Sequence, residues 1–240
     1  MRETKQEILN PLPNTIHPEQ IVYEDNHIII INKLPSEIVQ GDKTGDLPLS
    51  EKLKNFIKER DSKPGNVFMG VIHRIDRPVS GLIIFAKTSK ALSRFNELIR
   101  MKGLNKTYWA VVKNKPAKTE DHLIHYLLKN EKTNKSRAHE KPVENGLKSE
   151  LIYKFLKSSD TYHLLEIKLL TGRHHQIRCQ LSAIGSPIKG DLKYGFDRSN
   201  KDASIHLHAY SLSFMHPIKL EEVNVKAAPL MNDPVWNYFK

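Results

Sequence analysis

Between His73 and Lys87 the chain reads His-Arg-Ile-Asp-Arg-Pro-Val-Ser-Gly-Leu-Ile-Ile-Phe-Ala-Lys, which places one carboxylate, Asp76, between two arginines, Arg74 and Arg77. A turn on an ordinary surface gains little from a guanidinium on each side of a single acid. Opposite charges at that range favour the ionised carboxylate. An acid that stays ionised is a poor general acid but a serviceable nucleophile at an electrophilic carbon. The plainer reading is an Asp-Arg-Pro turn whose carboxylate bonds backbone N–H groups.

A second constellation runs Leu170-Thr-Gly-Arg-His-His-Gln-Ile-Arg-Cys-Gln-Leu181 and on through Gly185-Ser-Pro-Ile-Lys-Gly-Asp191 to Tyr194-Gly195. Gly172 permits a tight strand-to-helix turn, the helix N-terminus favours an anion, and Arg173 there is placed to hold a phosphate. Arg178 falls inside the helix between Ile177 and Leu181, where a buried guanidinium must pair. Its natural partner is a carboxylate such as Asp76. A third segment, Lys106-Thr-Tyr108-Trp-Ala110, sets an aromatic at a strand start among lysines. Such a ring is usually packed in a core, but beside a basic groove it can stack on an unpaired base.

Other chemistries find no footing. The sequence has no Gly-x-x-x-x-Gly-Lys-Ser/Thr and no Gly-x-Gly-x-x-Gly, the loops that cradle nucleotide phosphates. Ser80 before Gly81 lacks the nucleophile-elbow pattern. His206-Leu-His208 and His174-His175 have no acidic cluster beside them and read as hydrogen-bonded histidines, so no metal is expected. The single cysteine, Cys179, excludes an internal disulfide and any multi-thiolate site; in an apolar-periodic segment it reads as a buried, inert thiol.

The elements that must position these residues follow from periodicity. Ile21 to Ile31 reads as short strand segments, and Leu49, Leu53, Phe56 and Ile57 as a helical stripe ending near Lys63-Pro64-Gly65. Strands flank the acidic turn at Phe68–Ile72 and Leu82–Phe85. Thr88 caps a helix with Ala91, Leu92, Phe95, Leu98 and Ile99 on one face, and Gly103 stands at its C′ position. Tyr108 to Val112 is a strand, and residues 129–148 read as an exposed polar excursion. Leu151–Leu156 and His163–Leu170 form an antiparallel pair, Ile177, Leu181 and Ile184 mark a helix, and short strands fill Ser204 to Val225 before a terminal helix. Strands outnumber helices without alternating regularly, which predicts α+β rather than a doubly wound parallel sheet. Residues 1–20, with Pro11, Pro13 and Pro18, are an expected irregular lead-in, and 21–240 the one catalytic domain.

The 240 residues carry 38 Lys and Arg against 27 Asp and Glu, a net charge of +11, which points to an anionic partner. The excess is local: Lys87 to Lys118 holds nine basic residues and one acid, Glu97, and Lys168 to Lys201 holds seven against Asp191 and Asp197. No apolar run approaches the ~18 residues of a membrane span, and the N-terminus lacks a signal-peptide core. A cytoplasmic protein is expected and, without coiled-coil heptads, a monomer.

Taken together the three motifs resemble the RluA-type RNA pseudouridine synthases, whose patterns read His-Arg-Leu-Asp-x-x-Thr-Ser-Gly-Leu-Leu, Lys-x-Tyr-x-Ala, and Thr-Gly-Arg-x-His-Gln-Ile-Arg followed by Gly-x-Pro-Ile-x-Gly-Asp. The resemblance runs from about Ile21 to Pro217, closing on Leu207-His208-Ala209 and Phe214-Met-His216-Pro217. It implies a mixed, mostly antiparallel central sheet flanked by helices, with a cleft across it, no S4-type domain, and neither cofactor nor metal. It implies that a uridine of ribosomal or transfer RNA is isomerised to pseudouridine. Asp76 is then the catalytic aspartate, Tyr108 the ring that stacks on the target base and is implicated in removing its C5 proton, and Arg178 the partner of the aspartate. Arg74 helps open the RNA, and Arg77, Lys106, Arg173 and His175 join it toward the RNA. The alternatives are an inactive RNA-binding module of the same fold, for which a lone acid between arginines has no use, and a glycosidase, which needs a second carboxylate. The chain departs from the pattern at Asn32-Lys33-Leu34-Pro35-Ser36, in place of Asn-Lys-Pro-Ala-Gly, at Val79 in place of threonine, and at His174 in place of threonine or serine.

Overall fold

Four consecutive isoleucines cannot turn one face of a strand to water, so Ile28–Ile31 must be covered on both sides. In the computed structural model, which describes residues 10–42 and 44–240, all four are fully buried. They lie in β2 (Ile28–Lys33), paired antiparallel with β1 (Ile21–Glu24) and β4 (Ser80–Ala86). Ile29 and Ile31 pack with Ile83 and Phe85 against Leu49, Leu53 and Ile57 of α1 (Leu49–Arg60). Ile28 and Ile30 pack with Leu82 and Ile84 against Ala91 and Phe95 of α2 (Ser89–Arg100). Of the irregular lead-in expected over residues 1–20, residues 1–9 lie outside the described residues, and Pro18–Gln20 forms a single 3-10 turn.

The chain divides into two compact units, residues 1–104 with 210–240, and residues 105–209. The first holds β1, β2, the two-residue β3 (Gly70–Val71) and β4, with β11 (Glu222–Lys226) paired to β10 (Leu207–Met215), and ends in α4 (Pro234–Phe239). The second is an antiparallel array in the order β5 (Asn105–Val112), β9 (His163–Leu169), β8 (Leu147–Ser158), β6 (Glu120–Asn130), β7 (Lys135–His139), with α3 (Gln176–Ala183) on one face. The chain is α+β, its sheet open, mixed and mostly antiparallel, as expected.

Three local expectations change. The polar excursion at 129–148 contains β7, which forms a hairpin with β6; β7 is the edge strand of the sheet, where few side chains need be apolar, and periodicity cannot show it. Gly103 is not the left-handed residue that ends α2. Lys102 takes φ 57, and Gly103, one position on, donates to Leu98 O at 2.8 Å where a Cβ would lie 2.5 Å from Leu98 Cδ1. Thr88 does cap the helix, accepting from Ala91 N at 3.1 Å. The turn into α3 is made not by Gly172 but by His175, at φ 51.

Asp25 ties the first unit together. Its carboxylate accepts from the N–H groups of His27 (2.7 Å) and Ile28 (2.8 Å) and from Tyr23 OH (3.1 Å). It also meets Lys219 Nζ at 3.1 Å and the buried His216 Nε2 at 3.3 Å. Burial alone would raise the carboxyl, but the two backbone donors, Lys219 and Tyr23 outweigh it and bring it to about 2. The ionised form therefore stabilises the fold above the ordinary value of 3.8, and that contribution fades as pH falls toward about 2. Asp25→Asn should lower the melting temperature at pH 7, with the gap to wild type closing across that window; a gap independent of pH would contradict this account.

Candidate active site

The acidic turn belongs to the first unit. Between β3 and β4 the chain folds back so that Val79 N donates to Asp76 O at 3.0 Å. Arg74 is exposed, and among the described residues no hydrogen bond or ion pair holds its guanidinium; Asp76 is half-buried. Arg77 points elsewhere than expected: its Nη2 bonds Asp46 Oδ2 and, at 2.9 Å, Thr44 Oγ1. The symmetric flanking of Asp76 in sequence is thus not symmetric in space, because neighbouring side chains of a turn diverge. His73, buried, accepts from Ile84 N at 3.2 Å and pins the start of the turn to β4.

Beneath the turn lies a residue that motif reading passed over. Lys33 is fully buried, its ammonium donating to the carbonyls of Leu34 (2.8 Å), Glu37 (2.9 Å) and Arg77 (3.1 Å). Arg77 O also accepts from Ser36 N at 3.0 Å. Loss of water around Lys33 lowers its proton affinity strongly, the negative charges of Glu37 and Asp76 restore part, and the ammonium titrates at about 7. Ser36 stands where the family pattern has glycine and adopts φ 70, the conformation a glycine would supply. The Asn-Lys segment carried the signal, but it was read only for its departures.

The second unit holds the other motifs. Tyr108, on β5, is 6% exposed and pairs across β9 with Ile167. Lys106 lies two residues earlier on the same face. Pairing carries that face through Leu169, Leu151 and Leu123 to His125 and Leu127 of β6, and these meet Gln180 and Cys179 of α3. Lys106, Tyr108 and the helix carrying Arg178 therefore share one side of the sheet. Cys179 is buried and its thiol is pushed up to about 11 by burial, as an inert thiol should be.

Arg178 was expected to pair with Asp76. Within its own unit it makes a two-pronged bond to Asp191, Nε to Oδ2 at 2.7 Å and Nη2 to Oδ1 at 2.8 Å, with both side chains buried. Gly190, at φ 86, brings the backbone so close that a Cβ there would lie 2.8 Å from Ser204 O. Tyr194 lies under the guanidinium, its ring centre 5.1 Å from Arg178 Cζ. The Tyr194 hydroxyl accepts from Ser136 N at 2.8 Å and meets His175 Nδ1 at 3.0 Å; burial pushes the phenol up to about 12, so it stays protonated. His175 is thereby engaged within the unit. Arg173 is exposed, its Nε 3.4 Å from Lys148 O. His206 is buried and its Nδ1 lies 3.0 Å from Asn200 Nδ2.

The chain thus presents an acidic turn on a buried lysine in one unit, and in the other an aromatic strand sharing a sheet face with an arginine-bearing helix. Residues 27–183 match the model described as RNA pseudouridylate synthase, and the chain belongs to that family. It is 33% identical over 220 residues to ribosomal large subunit pseudouridine synthase C of Escherichia coli (strain K12), covering 86% of this chain and 65% of that protein. The protein of that name from Haemophilus influenzae is 32% identical over 215 residues, covering 87% and 65%. The chain thus spans just under two thirds of the length of these relatives. Two solved structures share the fold: human RNA pseudouridylate synthase domain containing 4, with a TM-score of 0.74 at 22% identity over 91% of this chain and 90% of that one, and domain containing 1, with 0.69 at 24% over 87% and 82%.

Two outcomes follow from the buried charges. Asp191→Asn strips Arg178 of a charged partner and should cost about 3–5 kcal/mol, read from the urea midpoint; a loss typical of a surface pair would show that the guanidinium is solvated. For Lys33 the folded value lies below the unfolded one, so the unfolded chain binds more protons above pH 7 and stability gains with pH. From pH 7 to 9 wild type should gain on Lys33→Met by up to about 1.4 kcal/mol per pH unit. Parallel curves would contradict a buried, titrating Lys33.

Proposed function

We propose that this chain isomerises a uridine of large-subunit ribosomal RNA to pseudouridine, with Asp76 as the catalytic carboxylate. The observation that carries the reading is the turn itself: a half-buried aspartate whose backbone is fixed from below by Lys33, beside an exposed and unengaged Arg74. Family membership supplies the reaction class, and the name shared by the bacterial relatives supports the RNA.

The C1′–N1 bond of a stacked uridine is out of reach of a protein side chain, so the nucleotide must leave the stack. Arg74, exposed beside Asp76, enters the space the base vacates and holds phosphate. Asp76 assists cleavage of the C1′–N1 bond, by attack at C1′ or by assisting glycal formation. The freed base turns, C5 bonds to C1′, the C5 hydrogen is released to solvent and N1 takes a proton. Atoms and charge balance without an oxidant or reductant. Tyr108 stacks on the uracil and is assigned to the removal of its C5 proton. Arg178 is assigned as the counter-ion of Asp76: a guanidinium carries five N–H donors on a planar fork, of which Nε and Nη2 bind Asp191. Arg77, Arg173 and His175 are assigned to RNA as well, in support of that contact. The protein works as a monomer in the cytoplasm; no helix among the described residues is long and apolar enough to cross a membrane.

The test is tritium release from large-subunit ribosomal RNA transcripts carrying 5-tritiated uridine. Asp76→Asn should bind the transcript as wild type does and release at least about a thousandfold more slowly. Full release by the variant would remove Asp76 from the mechanism, and silence of wild type on every transcript would leave a module that only binds.

A further inference from the structure

Among the described residues the other buried lysines and arginines have partners. Lys33 has three carbonyls; Lys52 has Leu12 O and the buried carboxylate of Glu37; Arg178 has Asp191. Lys106 is the contrast. It is half-buried on β5, and among the described residues no hydrogen bond or ion pair reaches its ammonium. Burial alone holds it below the ordinary lysine range, with no carboxylate pulling it back.

The register shows why. On the β9 side the row running from Lys106 is Leu169, Leu151 and Leu123, all apolar. Glu166 and Glu120 lie in the row of Trp109, on the opposite face. Asp121 shares the face of Lys106, but it is three strands away in the row of Tyr108, about 14 Å at ordinary strand spacing, and Lys118 already binds it at 3.0 Å. A cation kept in partly apolar surroundings without a partner lowers stability, and its retention calls for an anion that arrives from outside. Two residues along the strand, roughly 7 Å away on the same face, is the buried ring of Tyr108. A nucleotide stacked there brings its own phosphodiester within reach of the lysine side chain.

We propose that Lys106 binds the phosphodiester of the nucleotide whose base stacks on Tyr108, fixing the flipped nucleotide at its phosphate as the ring fixes it at its base. This rests on the proposed action on RNA and makes a narrower claim. Lys106 adds to substrate binding and takes no part in the bond changes at the ribose.

The experiment compares wild type, Lys106→Met and Lys106→Arg on the tritiated large-subunit transcript, with filter binding and KM measured across a salt series. Lys106→Met should raise KM about tenfold with kcat nearly unchanged, and flatten the slope of log affinity against log salt by about 0.7–0.9, the share of one phosphate contact. Lys106→Arg should restore the slope. Because the methionine removes an unpaired charge, that variant should melt no lower than wild type. An unchanged slope and KM, a fall in kcat alone, or a clearly lower melting temperature in Lys106→Met would overturn the proposal. The parent reading fails separately: wild type that binds but releases no tritium ends the enzymatic assignment, while the filter-binding slopes still decide whether Lys106 holds a phosphate.

Discussion

An ammonium taken out of water must find its hydrogen bonds in the protein, and the acidic turn is arranged around that requirement at Lys33. Three backbone carbonyls, from Leu34, Glu37 and Arg77, converge on one nitrogen. Two belong to the segment after β2 and the third to the turn before β4, so the bond that solvates the lysine also fixes the distance between those loops. Asp76 precedes the Arg77 carbonyl by one residue and inherits its position. Glu37, itself buried, closes the arrangement by accepting from Leu34 N at 3.0 Å and Gln20 Nε2 at 2.9 Å and by meeting Lys52 at 3.4 Å. The position of Asp76 therefore leans on a charge that is wholly buried.

The second unit meets the same requirement with a different pair. Arg178 is bound by Asp191, Asp191 is presented by a loop that only glycine at 190 allows, and Tyr194 lies against the guanidinium. Through Ser136 and His175, the tyrosine hydroxyl joins the β6–β7 hairpin to the start of α3. Lys106 stands apart from this economy, the one basic residue of the motifs left half-buried without an acceptor among the described residues.

Motif order and periodicity made the fold class, the strands around the acidic turn, the Thr88 cap and the strand of Tyr108 legible in the sequence. What escaped was set by contacts between residues far apart in the chain or by the direction of single side chains. Lys33 looked like one member of a loop motif because nothing local announces three carbonyls, one of them 44 residues away. Asp191 was read only as part of a pattern, since its bond to Arg178 spans 13 residues and a loop. Arg77 was given the same outlook as Arg74 because sequence shows neighbours but not divergence. The β6 and β7 strands were missed because an edge hairpin with one apolar side offers little alternation to count.

The division of the chain has a consequence for its synthesis. Residues 105–209 form one unit and are made whole before residues 210–240, which complete the other. Asn32 donates to Ala228 O, 196 positions later, and Asp25 waits for His216 and Lys219. Chain closure over such a span costs only logarithmically more than over a short one, but it cannot begin until the later segment exists. On the ribosome the inserted unit, built from neighbouring hairpins, can fold first, while β2 and β4 remain without their last partners. The strands beside the Asp76 turn are therefore the part of the nascent chain that most depends on timely completion.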